Sequence, residues 1–171
     1  MVGALRLLPV LTLAVFPSLF VAACGAQSEA IITVHNPCSP VTVAPAEGTT
    51  ADQRASVSGA LELWNSLGFT RLTLEASDGG SAIPVIFRDG PEPFHGIYED
   101  GVGDVVINQN LTDPAAATVV IAHELGHAMG LLHVAPSERR SVMNQGNLDQ
   151  VPTAEDGAAL ASFWSHCEAA P

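Results

Sequence analysis

The sequence contains no lysine, so its six basic residues are all arginine, and they stand against 18 aspartate and glutamate residues. The resulting formal net charge of −12 at pH 7 repels phosphate groups, and the composition therefore disfavours nucleic-acid binding. Internal repeats and low-complexity runs are also missing. The 171 residues, 47% of them hydrophobic, suffice for one domain with a sizeable core and leave little room for a second, and we expect a monomer.

The chain also lacks the nucleophile-elbow sequence that would indicate a Ser-His-Asp hydrolase. What it does contain is a group of metal-binding residue types within one short stretch. At 3.6 residues per turn His123 and His127 lie one turn apart on the same face of a helix, so both rings can reach one metal ion. Glu124 lies about 100° further round, where it would contact a water molecule rather than the metal. Gly130 can adopt the left-handed conformation that ends a helix, which returns His133 to the site.

This set of residues predicts a zinc centre with catalytic chemistry. Three neutral imidazoles leave a tetrahedral zinc ion one open position for water, which distinguishes a catalytic site from a structural one. Glu124 would act as the general base toward that water, and the chemistry is that of peptide-bond hydrolysis. A non-catalytic, zinc-stabilised surface or binding protein is the alternative, but it would not need Glu124. A thermolysin-like peptidase would take a downstream glutamate as a ligand and leave Gly130 and His133 unexplained.

Residues 123–133 resemble the metzincin zinc peptidases, whose pattern H-E-x-x-H-x-x-G-x-x-H they match in full. Met143 follows ten residues later, where that family has its Met-turn. The resemblance implies that the three histidines bind a catalytic zinc ion, that Glu124 is the general base, and that Met143 packs beneath the metal. It also implies an α+β, zincin-like fold of the matrixin type: a twisted mixed β-sheet with a backing helix, a central active-site helix, the Met-turn and a C-terminal helix.

Residues 1–23 are predicted to be a signal peptide, because the single basic residue Arg6 precedes an apolar run that prolines interrupt. Cys24 ends the sequence Val-Ala-Ala-Cys, which resembles the lipobox of bacterial lipoproteins and implies that this cysteine is acylated and anchors the chain to a membrane. Residues 24–40 would form a tether and residues 41–171 the metallopeptidase domain. We therefore expect export to the cell envelope, at the outer membrane or the cell surface, with plain secretion as the alternative.

Apolar periodicity and cap residues predict the remaining elements. Thr50 and Gln53 resemble a capping box, and Asp113 followed by Pro114 begins a helix that is apolar on nearly all sides and therefore buried. Pro84 favours a strand end or an edge position for its strand. The predicted strands are 41–43, 72–74, 83–87 and a hairpin-like pair around the turn 99–104, and the predicted helices are 52–67, 115–129 and a last one that starts near 152.

The strand near residues 94–99 is predicted to bind the substrate. By its place in the order of elements it corresponds to the antiparallel edge strand along which metzincins align an extended protein or peptide substrate. His95 lies there with no partner histidine nearby in sequence, so we interpret it as a surface or core residue. The acidic turn that follows is interpreted as solvated, with calcium binding through its carboxylates as the alternative.

Cys38 and Cys167 remain as a pair once Cys24 is assigned to lipid, and an exported protein keeps its disulfides. We expect a Cys38–Cys167 bond that ties the entry of the domain to the last helix and stabilises it by about 2–4 kcal/mol. The alternative is a cysteine switch, in which the Cys38 thiolate occupies the fourth position on zinc and keeps the enzyme latent.

Overall fold

The computed structural model describes residues 34–74 and 82–165. The predicted signal peptide, Cys24 and Cys167 lie outside these residues. The order of the described strands and helices agrees with the predicted order, and their bounds agree to within a few residues. In chain order they are β1 (Val41–Pro45), α1 (Ala51–Asn65), β2 (Leu72–Leu74), β3 (Ala82–Arg88), β4 (Gly96–Glu99), β5 (Asp104–Asn108), α2 (Pro114–Ala128) and α3 (Ala154–Phe163).

The five strands form one sheet in the order β2-β1-β3-β5-β4. β1 pairs in parallel with β2 and β3, and β3 pairs in parallel with β5. β4 pairs antiparallel with β5 and lies at the edge of the sheet. The hairpin predicted around the acidic turn is therefore confirmed, and within the described part of the chain one side of its first strand has no strand partner.

Of the two positions predicted from Pro84, the edge position is wrong, because β3 is an interior strand, whereas Pro84 does lie near the start of that strand. The pairing of β3 with β1 runs from Ala82 to Val85, whereas its pairing with β5 begins only at Val85. Pro84 therefore has a strand partner on one side alone. A residue without a backbone N–H is least costly where one side of its strand is open, which explains how an interior strand accommodates it.

Both long helices begin at the predicted caps. The Thr50 side chain accepts a hydrogen bond from the Gln53 N–H, and the Gln53 side chain accepts one from the Thr50 N–H, so α1 starts with a complete capping box. The Asp113 carboxylate accepts from two backbone N–H groups in the first turn of α2, which Pro114 begins. Each cap satisfies N–H groups that the start of a helix otherwise leaves without partners.

α2 lies in the centre of the molecule and is buried on nearly all sides, as its apolar sequence predicted. Trp64 of α1 is fully buried and donates its indole N–H to the Ala122 carbonyl of α2 at 2.8 Å. The core combines inward side chains of β1, β3 and β5 with those of α1 and α2. These contacts fix the position of α2, and with it the position of every functional side chain that α2 carries.

α3 packs near the end of α2. Leu160 of α3 is fully buried, and Trp164, just beyond the helix, donates its indole N–H to the Met129 carbonyl at 2.8 Å. The described elements thus form a five-stranded, mostly parallel sheet with three helices. No helix within residues 34–74 and 82–165 is long and apolar enough to cross a membrane.

Candidate metal centre

The chain reverses direction at the end of α2. The helix stops at Ala128, and Gly130 follows with a φ of +101°, in the left-handed region that the sequence predicted for it. A side chain at Gly130 would also collide with the ring of Phe163, because its Cβ would lie 2.5 Å from that ring. The Leu131 N–H donates to the Gly126 carbonyl at 2.9 Å and closes the turn. This reversal places the third histidine of the motif beside the first two.

Three imidazoles converge at this point. The Nε2 atom of His133 lies 3.1 Å from Nε2 of His123 and 3.2 Å from Nε2 of His127. Among the residues that the structure describes, these three histidines are the one group of three or more side chains that could hold a metal ion. His123 is buried, His127 is partly buried and His133 is exposed, so the group opens to solvent on the His133 side.

Two backbone carbonyls orient the histidines of α2. The Nδ1–H of His123 donates to the Val142 carbonyl at 2.6 Å, and the Nδ1–H of His127 donates to the Leu131 carbonyl at 2.7 Å. A carbonyl oxygen only accepts, so Nδ1 carries the proton in both rings and Nε2 keeps its lone pair. The lone pairs of both rings are directed toward the same small space, and this arrangement favours a cation there.

The nitrogen atoms fit a zinc ion. Zinc binds histidine nitrogen at about 2.0–2.1 Å, and tetrahedral geometry then separates neighbouring nitrogens by roughly 3.3–3.4 Å. The two separations from His133, 3.1 and 3.2 Å, are close to that value. The group holds three imidazoles and no thiolate, which matches a catalytic zinc site with one open position rather than a closed structural site.

Burial favours the neutral form of the two helix histidines. Desolvation is the largest effect on His127 and lowers its pKa to about 4, against the opposing hydrogen bond to the Leu131 carbonyl. Desolvation also lowers the pKa of His123, which the hydrogen bond to Val142 opposes. Neutral imidazole is the form that binds a metal, so these two rings need not lose a proton at neutral pH in order to bind one.

Glu124 lies next to the histidines but is not part of their group. Glu124 is only 6% exposed, and the Tyr98 backbone N–H donates to its carboxylate. Burial is the largest effect on this carboxyl and raises its pKa to about 8, although the hydrogen bond from Tyr98 lowers it. A cation held by the histidines would lower this pKa again. The position of this buried carboxyl beside the histidines suits a group that takes up and returns a proton.

Met143 packs under the helix that carries the histidines. It is 1% exposed, and a Cβ at Gly126 of α2 would collide with its Sδ atom. The helix therefore needs a glycine where the methionine sulfur lies against it. The residue before Met143 is Val142, whose carbonyl accepts from His123. The segment that places the methionine thus also orients one of the three imidazoles.

A buried carboxylate holds this segment. Asp156 of α3 is fully buried and accepts from Ser141 Oγ at 2.5 Å and from the Val142 N–H at 3.1 Å. It also accepts from the Arg139 guanidinium at 2.6 Å and completes a capping box with Thr153. Burial by itself would raise the pKa of Asp156, but these hydrogen bonds outweigh it and hold the pKa below its usual value. Sequence spacing marks Asp156 only as the start of a helix, so its link to the metal centre was missed.

The three histidines and Glu124 line an open cleft of about 1020 Å³. Residues 93–98, which include most of β4, line one part of it, and residues 145–147 line another. Ile97 and Leu132, which are 46% and 61% exposed, add apolar surface. His95 also lies in the cleft but outside the three-histidine group, so the structure gives it no role as a ligand there.

Two other predicted features have different outcomes. In the acidic turn Glu99 pairs with Arg88 at 2.5 Å, and no metal-holding group forms there among the described residues, so calcium binding is not shown.

Cys38 is disulfide-bonded, and its sulfur therefore offers no thiolate to zinc, which argues against the cysteine switch. Because Cys24 and Cys167 lie outside the described residues, the Cys38–Cys167 pairing stays a prediction.

No protein-family model matches the chain, and no curated protein matches it either. Among solved structures, the crystal structure of myroilysin is similar, with a TM-score of 0.54 over 77% of this chain and 86% of the myroilysin chain. The two sequences are 16% identical, so this likeness shows the fold alone. The sheet and helices described above are compatible with a zincin-like fold, and the three histidines are positioned to bind a metal ion.

We expect His133→Ala to lose zinc, because two helix imidazoles alone do not complete the ligand set. The affinity for zinc should fall by more than the roughly 10–100-fold that is typical when a residue that hydrogen-bonds to a metal ligand is removed. Elemental analysis after chelation and reconstitution measures it, with His95→Ala as the control histidine from the same cleft. Equal zinc contents in His133→Ala and the wild type would contradict the assignment.

Asp156→Asn should lower the free energy of unfolding by about 2–3 kcal/mol at pH 7, because it removes a buried charged acceptor. The pKa of Asp156 is depressed in the folded state, so its contribution is present above the pKa of the unfolded chain and is lost as pH falls through the folded-state value. The difference from the wild type should therefore shrink below about pH 4. Urea unfolding between pH 7 and pH 3 measures this difference.

Asp149→Asn serves as the control for that measurement, because Asp149 is an exposed aspartate from the same part of the chain. It should leave the free energy of unfolding at pH 7 nearly unchanged. A difference between Asp156→Asn and the wild type that stays constant down to pH 3 would show that the charge of Asp156 does not stabilise this segment.

Proposed function

We propose that the protein is a zinc-dependent metalloendopeptidase that hydrolyses peptide bonds of extracytoplasmic proteins. The observation that carries the proposal is the convergence of three imidazole Nε2 atoms in an open cleft beside the buried carboxyl of Glu124. Metal binding alone requires the imidazoles, but it does not require a buried carboxyl in the same cleft. The match of residues 123–133 and Met143 to the metzincin pattern supports the same function.

The side chains of the site have separate tasks in this reaction. His123, His127 and His133 would hold a zinc ion, which would supply a Lewis acid to polarise a carbonyl and lower the pKa of water. Glu124 accepts the proton of the attacking water and passes it to the leaving amine. The Val142 carbonyl keeps Nδ1 of His123 protonated, so that Nε2 stays free for the metal.

The edge strand β4 supports an extended peptide as the substrate. The Asn108 N–H donates to the His95 carbonyl, and the hydrogen-bonded pairs of β4 and β5 alternate from there. Gly96 and Tyr98 therefore fall at positions whose backbone groups are directed away from β5. A peptide that adds alongside β4 would bond to the Gly96 backbone and the Tyr98 carbonyl, and would lie across the histidines.

The proposal places the enzyme outside the cytoplasm. Residues 1–23 have the pattern of a signal peptide, and the lipobox that ends at Cys24 supports a lipid anchor on the cell envelope. The disulfide at Cys38 supports the same compartment, because such bonds persist where the surroundings are oxidising. Residues 24–40 would then tether the domain to the membrane.

Glu124→Gln should keep zinc and lose kcat/KM by about 10²–10⁴, because the amide has nearly the size of the carboxyl but cannot accept the proton. The assay incubates the purified protein with zinc and a peptide mixture and sequences the products. Glu62→Gln, which changes an exposed carboxyl on α1, is the matched control. Zinc binding without turnover in the wild type would favour the non-catalytic surface or binding protein instead.

Mass spectrometry of the unreduced, full-length product tests both cysteine assignments together. We expect a lipid-modified peptide that starts at Cys24 and a second peptide in which Cys38 is joined to Cys167. Cys38→Ser should then destabilise the fold by about 2–4 kcal/mol without raising peptidase activity. A peptide that joins Cys24 to Cys38 would contradict both assignments, because a disulfide-bonded sulfur cannot be acylated.

A further inference from the structure

β4 passes very close to α2 at Gly96. Val120 and Glu124 are one helical turn apart and both project from the face of α2 that meets β4. A Cβ at Gly96 would lie 2.7 Å from Val120 Cγ1 and 3.2 Å from both Cγ and Oε1 of Glu124. The first distance is a collision, and the other two are tighter than ordinary van der Waals contact. Glycine is therefore the residue that lets the strand lie against the Glu124 carboxyl.

The same strand also binds this carboxyl through a hydrogen bond. The Tyr98 backbone N–H donates to Glu124. Gly96 and Tyr98 are two positions apart on β4, so their backbone groups are directed to the same side, away from β5. The carboxyl is thus confined by close packing at one of these positions and by a hydrogen bond at the other.

We propose that Gly96 is a positioning residue for the Glu124 carboxyl. Its missing side chain lets β4 lie against α2 and hold the carboxyl in one place before a substrate arrives. The inference rests on the proposed function and adds to it a residue outside the metal-binding motif. A general base that already has a fixed position need not be ordered during the reaction. Loss of that fixed position should therefore lower turnover and leave zinc binding unchanged.

Gly96→Ala should lower kcat by about 10–100-fold with unchanged zinc content, since a misplacement near 1 Å has an effect of this size. Val120→Ala in the same chain removes the atom that the new Cβ meets first, so the double variant should recover most of the lost kcat. Gly101→Ala is the matched control. This glycine lies in the turn after β4, and a Cβ there would meet nothing within 4 Å.

Unchanged kcat in Gly96→Ala would overturn the inference. A loss that Val120→Ala does not relieve would also overturn it, because the added methyl group would then obstruct the substrate and not the carboxyl. The wild type and Gly101→Ala are measured in the same assay. Their activity shows that the proposed function stands even when Gly96 turns out to have no positioning role.

A spectroscopic measurement gives a result that does not depend on turnover. The carboxyl carbon resonance of Glu124, identified by its loss in Glu124→Gln, should shift in Gly96→Ala and return in the double variant with Val120→Ala. It should stay in place in Gly101→Ala. A resonance that does not move in Gly96→Ala would overturn the inference even if the protein had no peptidase activity.

Discussion

The hydrogen bond from the Nδ1–H of His123 to the Val142 carbonyl is the interaction on which the rest of the site depends. It selects the tautomer that leaves Nε2 for a metal, and it joins α2 to the segment that packs Met143 beneath the helix. Asp156 holds that segment from α3 by accepting from the Val142 N–H. The backbone of one valine therefore connects a buried acid of the last helix to the metal-binding face of the central helix.

Much of the candidate site could be predicted because its residues are close together in the sequence. His123 and His127 are one helical turn apart, and Gly130 is the residue type that ends a helix in the left-handed conformation, so their geometry follows from local backbone rules. The order of strands and helices follows equally from apolar periodicity and from cap residues such as Thr50 and Asp113.

Contacts between distant parts of the chain could not be predicted in this way. Asp156 has the spacing of an ordinary capping residue, and its bond to Ser141 depends on how α3 packs. The sequence does not show why a glycine is needed at position 96, because the need arises from the close approach of β4 to α2. The edge position predicted from Pro84 is wrong because the pairing of β3 with its two neighbours is staggered. This leaves one side of an interior strand open at Pro84, which a rule about whole strands does not capture.

The local origin of the imidazoles also affects how metal binding is linked to folding. His123 and His133 are only ten positions apart, so the unfolded chain retains a short chelating peptide. Zinc stabilises the native state by the difference between its affinities for the native and unfolded chains, and any affinity of that peptide reduces the difference. The apolar core, the helix caps and the buried carboxylate of α3 stabilise the fold without any contribution from a metal, and bound zinc would add only that difference.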